Sequence, residues 1–107
     1  MRVNVYSIFD VAAGVYQRPF FCQADGEAMR AFGDLCMDAE HPVGKHPHDY
    51  SLFRIGTYDD NNGRLVGEAP ECMANGLEMV ARARSIDRGE LDAFEAELKS
   101  VSPGGTA

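Results

Sequence analysis

The feature that most constrains the fold of this chain is an Asn62-Gly63 pair between two segments that have the composition of β-strands. Residues 50–58 form the strongest strand pattern of the chain, and residues 64–68 supply a shorter one. Asn and Gly both tolerate positive φ angles, which the tight turn of a β-hairpin requires. The segment therefore predicts an antiparallel hairpin.

A second pair of strands is predicted at the N-terminus. Residues 3–9 alternate with period two and are rich in strand-forming residue types. After a turn at residues 12–14, residues 16–23 continue as a second strand that pairs with the first. Because Pro19 lacks an N–H group, this strand is expected at an edge of the sheet.

A helix is predicted over residues 25–39. Asp25 is a plausible N-cap, and Glu27 stands near the positive end of the helix dipole. One face of the helix is apolar and is expected to cover the sheet. This face contains Ala28, Phe32, Leu35, Cys36 and Ala39. Residues 41–48 contain two prolines and a glycine, which predicts a loop.

The order strand, strand, helix, strand, strand predicts an α+β fold, in which one helix packs on a face of a four-stranded antiparallel sheet. We assign residues 1–69 to this body and residues 70–107 to a helical tail with a frayed C-terminus. Helical spacing in the tail is shown by Leu77, Val80, Ala81 and Arg84, and then by Leu91, Phe94, Leu98 and Val101. A capping-box pattern at residues 87–90 leaves open two short helices or one broken helix. The second stripe either docks on the body or pairs with another subunit.

Length and composition indicate one small domain without disulfide bridges. The chain has 107 residues, of which 45% are hydrophobic and 25% charged. Its three cysteines, Cys22, Cys36 and Cys72, are odd in number and form no C-x-x-C pair, which is typical of reduced thiols in a cytosolic protein. No apolar run reaches the roughly 20 residues that span a bilayer, and no signal sequence is present. We therefore expect no membrane association.

The net charge of −7 is the main physical argument against nucleic-acid binding. Sequence-independent binders are generally basic, because they neutralise phosphates. A single basic face on an acidic protein nevertheless remains compatible with binding.

No catalytic or metal-binding motif is recognisable. His41, His46, His48 and Asp49 share one segment, but a solvated Pro/His loop explains them better than a metal site. Residues 59–63 resemble a calcium loop but lack the glutamate that such a loop requires. We expect no enzymatic activity, no metal and no cofactor.

Aromatic and arginine side chains form the candidate binding site. Six rings, those of Tyr16, Phe20, Phe21, Tyr50, Phe53 and Tyr58, lie in the predicted strands near Arg18 and Arg54. Rings that stack on bases beside arginines that meet phosphates are typical of single-strand binders, whereas burial in the core is the alternative for each ring. Strand alternation places Phe20 and Phe21 on opposite faces, so one is expected under the helix and the other outside.

Four segments, in order, resemble the small nonstructural proteins of gokushoviruses, the single-stranded DNA phages of the Microviridae. They are residues 5–12, then Y-x-R-P-F-F at 16–21, G-x-A-x-R-A-F at 26–32 and H-P-x-D-Y-x-L-F-x-[IL]-G-x-Y-D-D at 46–60. The resemblance covers about residues 3–68, and residues from 70 onward match less well.

The resemblance implies a DNA-associated factor in phage genome replication, at the switch from double-stranded synthesis to single-stranded genome production and packaging. It implies binding, with single-stranded DNA favoured, in the cytoplasm of the bacterial host. We expect the nucleic-acid contacts to come from Arg18, Phe20, Phe21, Arg30, Lys45, Tyr50 and Arg54. A homo-oligomer whose protomers lend Arg18, Arg30, Lys45 and Arg54 to a shared groove would reconcile DNA binding with the acidic charge.

The alternative function is an acidic adaptor. Such a protein contacts the phage replication protein, a host factor or the procapsid, with little direct binding of DNA. Net acidity and the stripe formed by Leu91, Phe94 and Leu98 favour it.

Overall fold

A single antiparallel sheet with helices on one face makes up the described part of the chain, residues 1–85 of the computed structural model. The strands are β1 (Arg2–Asp10), β2 (Val15–Tyr16), β3 (Phe20–Cys22), β4 (Tyr50–Asp59) and β5 (Arg64–Asn75). The helices are α1 (Asp25–Cys36), α2 (Pro42–Lys45), a 3-10 turn (Pro47–Asp49) and α3 (residues 76–85). The predicted α+β class and antiparallel sheet are confirmed.

Strand β1 lies inside the sheet and pairs with a strand on each side. One of its edges pairs with β4, which in turn pairs with β5. Its other edge pairs with β2 and β3, which are two pieces of the predicted strand 16–23. The break falls at residues 17–19, where Pro19 cannot donate to the ladder. The edge position predicted for Pro19 is confirmed, because β2 and β3 form the sheet edge.

Strand β5 is longer than the sequence predicts. It extends to Asn75, whereas the prediction ended it at residue 68 and began the helical tail at 70. Glu71 pairs with Arg54 and Gly67 pairs with Gly56, and the register shifts between these two pairs. Pro70 falls in this irregular stretch, which is where a strand tolerates a residue without an N–H group. Helix α3 therefore begins only at residue 76, and the predicted second stripe and capping box lie outside the described residues.

The loop between β1 and β2 and the loop between β4 and β5 have the same backbone structure. Asp10 is followed four residues later by Gly14, and Asp59 by Gly63. In each loop the glycine N–H donates to the aspartate carbonyl oxygen at 2.8 Å. The glycines adopt φ angles of 70° and 74°, a region that glycine enters without a steric penalty. The hairpin predicted from Asn62-Gly63 is confirmed, although only the glycine has a positive φ.

Helix α1 differs from its prediction at both ends. Its N-cap is Ala24 rather than Asp25, and the helix ends at Cys36 rather than near residue 39. Asp25 is instead the first residue of the helix, and its carboxylate accepts a hydrogen bond from the Tyr6 hydroxyl. The predicted loop 41–48 is also wrong in part, since α2 and the 3-10 turn lie within it.

Short helix α2 forms because its N-terminus is well capped. Nδ1 of His41 accepts a hydrogen bond from the Val43 N–H at 3.1 Å, and Pro42 occupies the first turn, where no N–H donor is needed. Val43 is fully buried, so this short turn also contributes to the core.

The main core lies between the sheet and its helices. Its buried members are Tyr6, Ile8, Ala28, Phe32, Cys36, Val43, Tyr50, Leu52, Ala74 and Val80. Three of these residues, Ala28, Phe32 and Cys36, belong to the apolar face predicted for α1, and α3 contributes Val80. Among the described helices, none is long and apolar enough to cross a membrane.

We predict that Gly56→Ala destabilises the fold by about 1–3 kcal/mol, the usual cost of forcing extra volume into packed structure. A Cβ atom at Gly56 would overlap the backbone carbonyl oxygen of Val66 on β5. Gly26→Ala in α1 is the matched control, because its Cβ would meet open space. Chemical denaturation of both variants checks this, and equal stability of the two would contradict the close approach of β4 and β5.

Candidate nucleic-acid interface

The sheet face opposite α1 carries five aromatic rings, which we call the aromatic face: Phe9, Tyr16, Phe21, Phe53 and Tyr58. Cross-strand partners lie on the same face of a sheet. Phe9 pairs with Tyr16, and Phe53 pairs with Ser7, the neighbour of Phe9 along that face. The rings of Phe9 and Tyr16 lie 4.7 Å apart, and those of Tyr16 and Phe53 lie 5.4 Å apart. These three rings therefore form one group in mutual contact.

Phe21 and Tyr58 form a second group on the same face. Their ring centroids are 5.5 Å apart, with an edge-to-face arrangement. Val5 lies in register with Phe21 and is buried, although it does not belong to the core beneath α1. Val5 and Phe9 are four residues apart on β1, so the two groups are separated by about 13 Å along the strand.

Within the described residues, part of this face is exposed to solvent. Tyr16 is 44% exposed and Phe21 is 51% exposed, while the other three rings are half-buried. None of the described helices contributes a residue to either ring group. The aromatic face thus presents two separate groups of rings on the sheet.

Irregularities on both sides of β1 bring these rings to one face. Phe53 and Tyr58 are five residues apart, a spacing that puts side chains on opposite faces of a regular strand. The register of β4 against β1 shifts by one residue at Ile55, which places both rings on the same face. The break at residues 17–19 has the same effect on Tyr16 and Phe21.

Of the three aromatic residues predicted as binding residues, the structure places only Phe21 on this face. Phe20 faces the helices and stacks on Tyr6 with ring centroids 5.7 Å apart. The predicted opposite orientation of Phe20 and Phe21 is therefore confirmed. Tyr50 is 8% exposed and belongs to the core, where its ring is not available for stacking on a base.

The four predicted basic residues are not brought together within one chain. Arg18 is exposed at the sheet edge, between β2 and β3 and therefore close in sequence to Tyr16 and Phe21. Arg30 is exposed on α1 and Lys45 ends α2, so both belong to the helical layer.

Arg54 is engaged in an ion pair and lies on the helix-covered face in register with Tyr6. It donates a hydrogen bond to Glu71 at 3.0 Å. This hydrogen bond and the charge of Glu71 raise the pKa of the Arg54 guanidinium. Arg18 is thus the one of the four that lies in a connection between two strands carrying rings of the aromatic face.

Sequence reasoning did not include four members of the aromatic face among the binding residues. Phe9, Tyr16, Phe53 and Tyr58 were absent from that set, although three of them were recognised as candidate stacking rings. Strand alternation alone identifies Phe9, because it continues the series Val3, Val5 and Ser7. The positions of Phe53 and Tyr58 relative to each other depend on the bulge, for which the sequence carries no clear signal.

No group of three or more potential metal ligands is gathered within residues 1–85. Nδ1 of His41 is occupied by the hydrogen bond from Val43, and the rings of His46 and His48 lie 6.4 Å apart. All three cysteines are free thiols. Burial raises the pKa of Cys36 to about 11, so this thiol is an inert core residue.

One polar link joins α1 to the central strand. The Tyr6 hydroxyl donates a hydrogen bond of 2.5 Å to the Asp25 carboxylate, and Nδ2 of Asn4 donates to the Tyr6 hydroxyl at 3.1 Å. Burial, together with the hydrogen bond to Asp25, raises the pKa of Tyr6 to about 12. The link joins the start of α1 to the face of β1 that is opposite to the aromatic rings.

Comparison with known proteins gives one family. The family model described as Phage ORF5 protein matches residues 3–79, which includes every strand of the sheet and the start of α3. No curated protein and no solved structure matches the chain.

We predict that Tyr6→Phe lowers the free energy of unfolding by about 1 kcal/mol near neutral pH, since it removes the hydrogen bond to Asp25. The folded protein holds the Tyr6 proton more tightly than the unfolded chain, whose tyrosine pKa is about 10. The contribution of this link is therefore complete below pH 10 and disappears as the pH rises toward 12.

Denaturation at several alkaline pH values measures this effect. The difference between the wild-type protein and Tyr6→Phe should shrink above pH 10. Tyr16→Phe is the control, because its hydroxyl is exposed and its removal should change stability by less than about 0.5 kcal/mol. A difference that stays constant with pH would show that the Tyr6 hydroxyl proton does not stabilise the fold.

Proposed function

The chain belongs to the Phage ORF5 protein family, and we propose that it binds single-stranded DNA through the aromatic face. Its role in this proposal is binding rather than catalysis, in the cytoplasm of the bacterial host. The observation that supports it best is the set of five aromatic side chains, in two groups, on the sheet face that none of the described helices covers.

Stacking accounts for affinity without a basic surface. A base stacked on an aromatic side chain contributes about 1–3 kcal/mol, and the interaction tolerates any base. Two exposed rings, Tyr16 and Phe21, lie in different groups about 13 Å apart along the sheet. The proposed site therefore holds at least two unpaired bases, which a duplex does not offer.

Phosphate contacts make a minor contribution in this proposal. Arg18 lies between the two strand pieces that carry Tyr16 and Phe21, while Arg54 is paired with Glu71 on the other face. One phosphate contact to single-stranded DNA changes the logarithm of affinity by about −0.7 per unit of log salt. We therefore propose binding with a shallow salt dependence, which agrees with a chain of net charge −7.

The step of the phage cycle in this proposal is inferred from the resemblance to gokushovirus proteins. We propose that the protein acts where double-stranded replicative synthesis gives way to single-stranded genome production and packaging. Single-stranded DNA accumulates at this step, and a sequence-tolerant stacking surface suits a ligand of any base composition.

The adaptor function remains a second candidate because of a groove between α1 and α3. Its volume is about 310 Å³, and Met29, Met37 and Met79 line it together with Arg30 and Arg82. Methionine-rich surfaces adapt to different protein partners. In this alternative, the phage replication protein or the procapsid would bind there.

We predict that the double variant Tyr16→Leu and Phe21→Leu binds a labelled single-stranded oligonucleotide at least about tenfold more weakly, because two stacking contacts are lost. Leucine keeps the apolar surface and removes the flat ring. Leu77→Ala, at an exposed position of α3, is the control and should bind as the wild type does. Fluorescence anisotropy with a duplex competitor measures both affinity and strand preference.

Three outcomes would contradict the proposal in different ways. Absence of binding at low salt would favour the adaptor. Unchanged binding by a folded double variant would place the site elsewhere, and equal affinity for the duplex would exclude stacking on unpaired bases.

We also predict that Arg18→Gln reduces the steepness of the salt dependence by about 0.7, the value for one phosphate contact. Arg30→Gln is the matched control, since Arg30 is also exposed but lies on α1. Anisotropy titrations over a series of salt concentrations give both slopes. A larger effect from Arg30 than from Arg18 would move the phosphate path to the helical side.

A further inference from the structure

Strand β5 is an exposed edge of the sheet within the described residues. It pairs with β4 along one side, and the order of the sheet ends with it. Residues 64–68 are all exposed, and their apolar members Leu65 and Val66 are 64% and 47% exposed. Such an edge presents backbone groups that are free to pair with another strand.

The structure shows which backbone groups of β5 point toward β4 and which point toward the open edge. The Val66 carbonyl oxygen is directed at β4, where it lies against Gly56. Neighbouring residues of a strand direct their N–H and C=O groups to opposite sides. The backbone groups of Leu65 and Gly67 therefore point away from β4, toward the open edge.

We propose that a second copy of this chain pairs with this edge, so that two β5 strands run antiparallel with Val66 on the two-fold axis. In this register Leu65 stands opposite Gly67 of the partner subunit, and both exchange the hydrogen bonds that point outward. Arg64 stands opposite Glu68 of the partner subunit. By symmetry the pair occurs twice, and opposite charges in facing positions stabilise antiparallel strands.

Charge complementarity supports this register. Arg64, Val66 and Glu68 lie on one face of the strand, because they alternate with Leu65 and Gly67. They line one shallow depression, together with side chains that include Thr57 of β4. Within residues 1–85, neither Arg64 nor Glu68 forms an ion pair, so both charges are available to the partner subunit.

Other registers in which the same backbone groups point at the partner subunit lose the pairing of Arg64 with Glu68. A shift of the axis to Gly67 places Arg64 opposite Pro70 of the partner subunit, and a shift to Leu65 places it opposite the partner's Val66. Gly67 carries no side chain, which leaves space for the exposed Leu65 across the axis. Pro70, which cannot donate a hydrogen bond, lies outside the paired window of residues 64–68.

The two-fold axis of such a pair is perpendicular to the sheet, so both copies present the same face on the same side. The sheet then continues through both subunits, and the two aromatic faces form one surface. The pairing itself rests on β5 alone and does not depend on what the aromatic face binds.

Charge variants test this pairing by sedimentation equilibrium. Glu68→Arg and Arg64→Glu each place like charges opposite one another across the axis, and each should weaken self-association about tenfold or more. An equimolar mixture of the two single variants should restore dimers, because each Glu then faces an Arg. Glu78→Arg, an exposed charge reversal on α3, is the control and should leave self-association unchanged.

A disulfide test defines the register. In a Cys72→Ser background, Val66→Cys should form a cross-linked dimer under mild oxidation, since the two copies of residue 66 face each other on the axis. Leu65→Cys is the matched control, because its opposite residue is Gly67 of the partner subunit. A wild-type protein that stays monomeric at all concentrations would overturn the proposal, as would dimers unaffected by both charge reversals or cross-linked equally at the two positions.

Discussion

The structure depends on the pairing of β1 on both of its edges. Residues 5–8 of this strand are buried, and they supply side chains to both faces of the sheet. Tyr6 and Ile8 enter the core beneath α1, whereas Val5 and Ser7 lie beneath the aromatic face. Because β1 has an uninterrupted alternation, it sets the register for the strands on both sides, and the irregularities in its own pairings are taken up by those neighbouring strands.

Those irregularities create the candidate binding surface. A regular β4 would direct Phe53 and Tyr58 to opposite faces, and an unbroken edge strand would do the same with Tyr16 and Phe21. On each side of β1, the neighbouring strand contains one extra residue, which exchanges the faces that the following side chains occupy. The consequence is that aromatic rings from both neighbours of β1 meet on one face, while the core beneath α1 keeps its own apolar set.

The distribution of charge is compatible with the proposed binding by stacking. Glu71 neutralises Arg54, and Arg30 and Lys45 belong to the helical layer, so the predicted basic residues do not form a continuous patch in one chain. The acidic net charge and the aromatic face are then compatible, since stacking requires exposed rings and few phosphate contacts. The proposed function therefore does not require the positive surface that is typical of DNA-binding proteins.

Local sequence patterns predicted the main strands and helix α1, because these depend on the chemistry of neighbouring residues, but they missed α2 and the last part of β5. Period-two alternation, the Asn62-Gly63 turn and the helical spacing after Asp25 are properties of neighbouring residues, and they gave the α+β class and the edge position of Pro19. The length of β5, the burial of Tyr50 and the pairing of Arg54 with Glu71 became apparent only in the three-dimensional fold. These features depend on contacts between residues distant in sequence, and a one-residue bulge changes which side chains share a face without altering the local pattern.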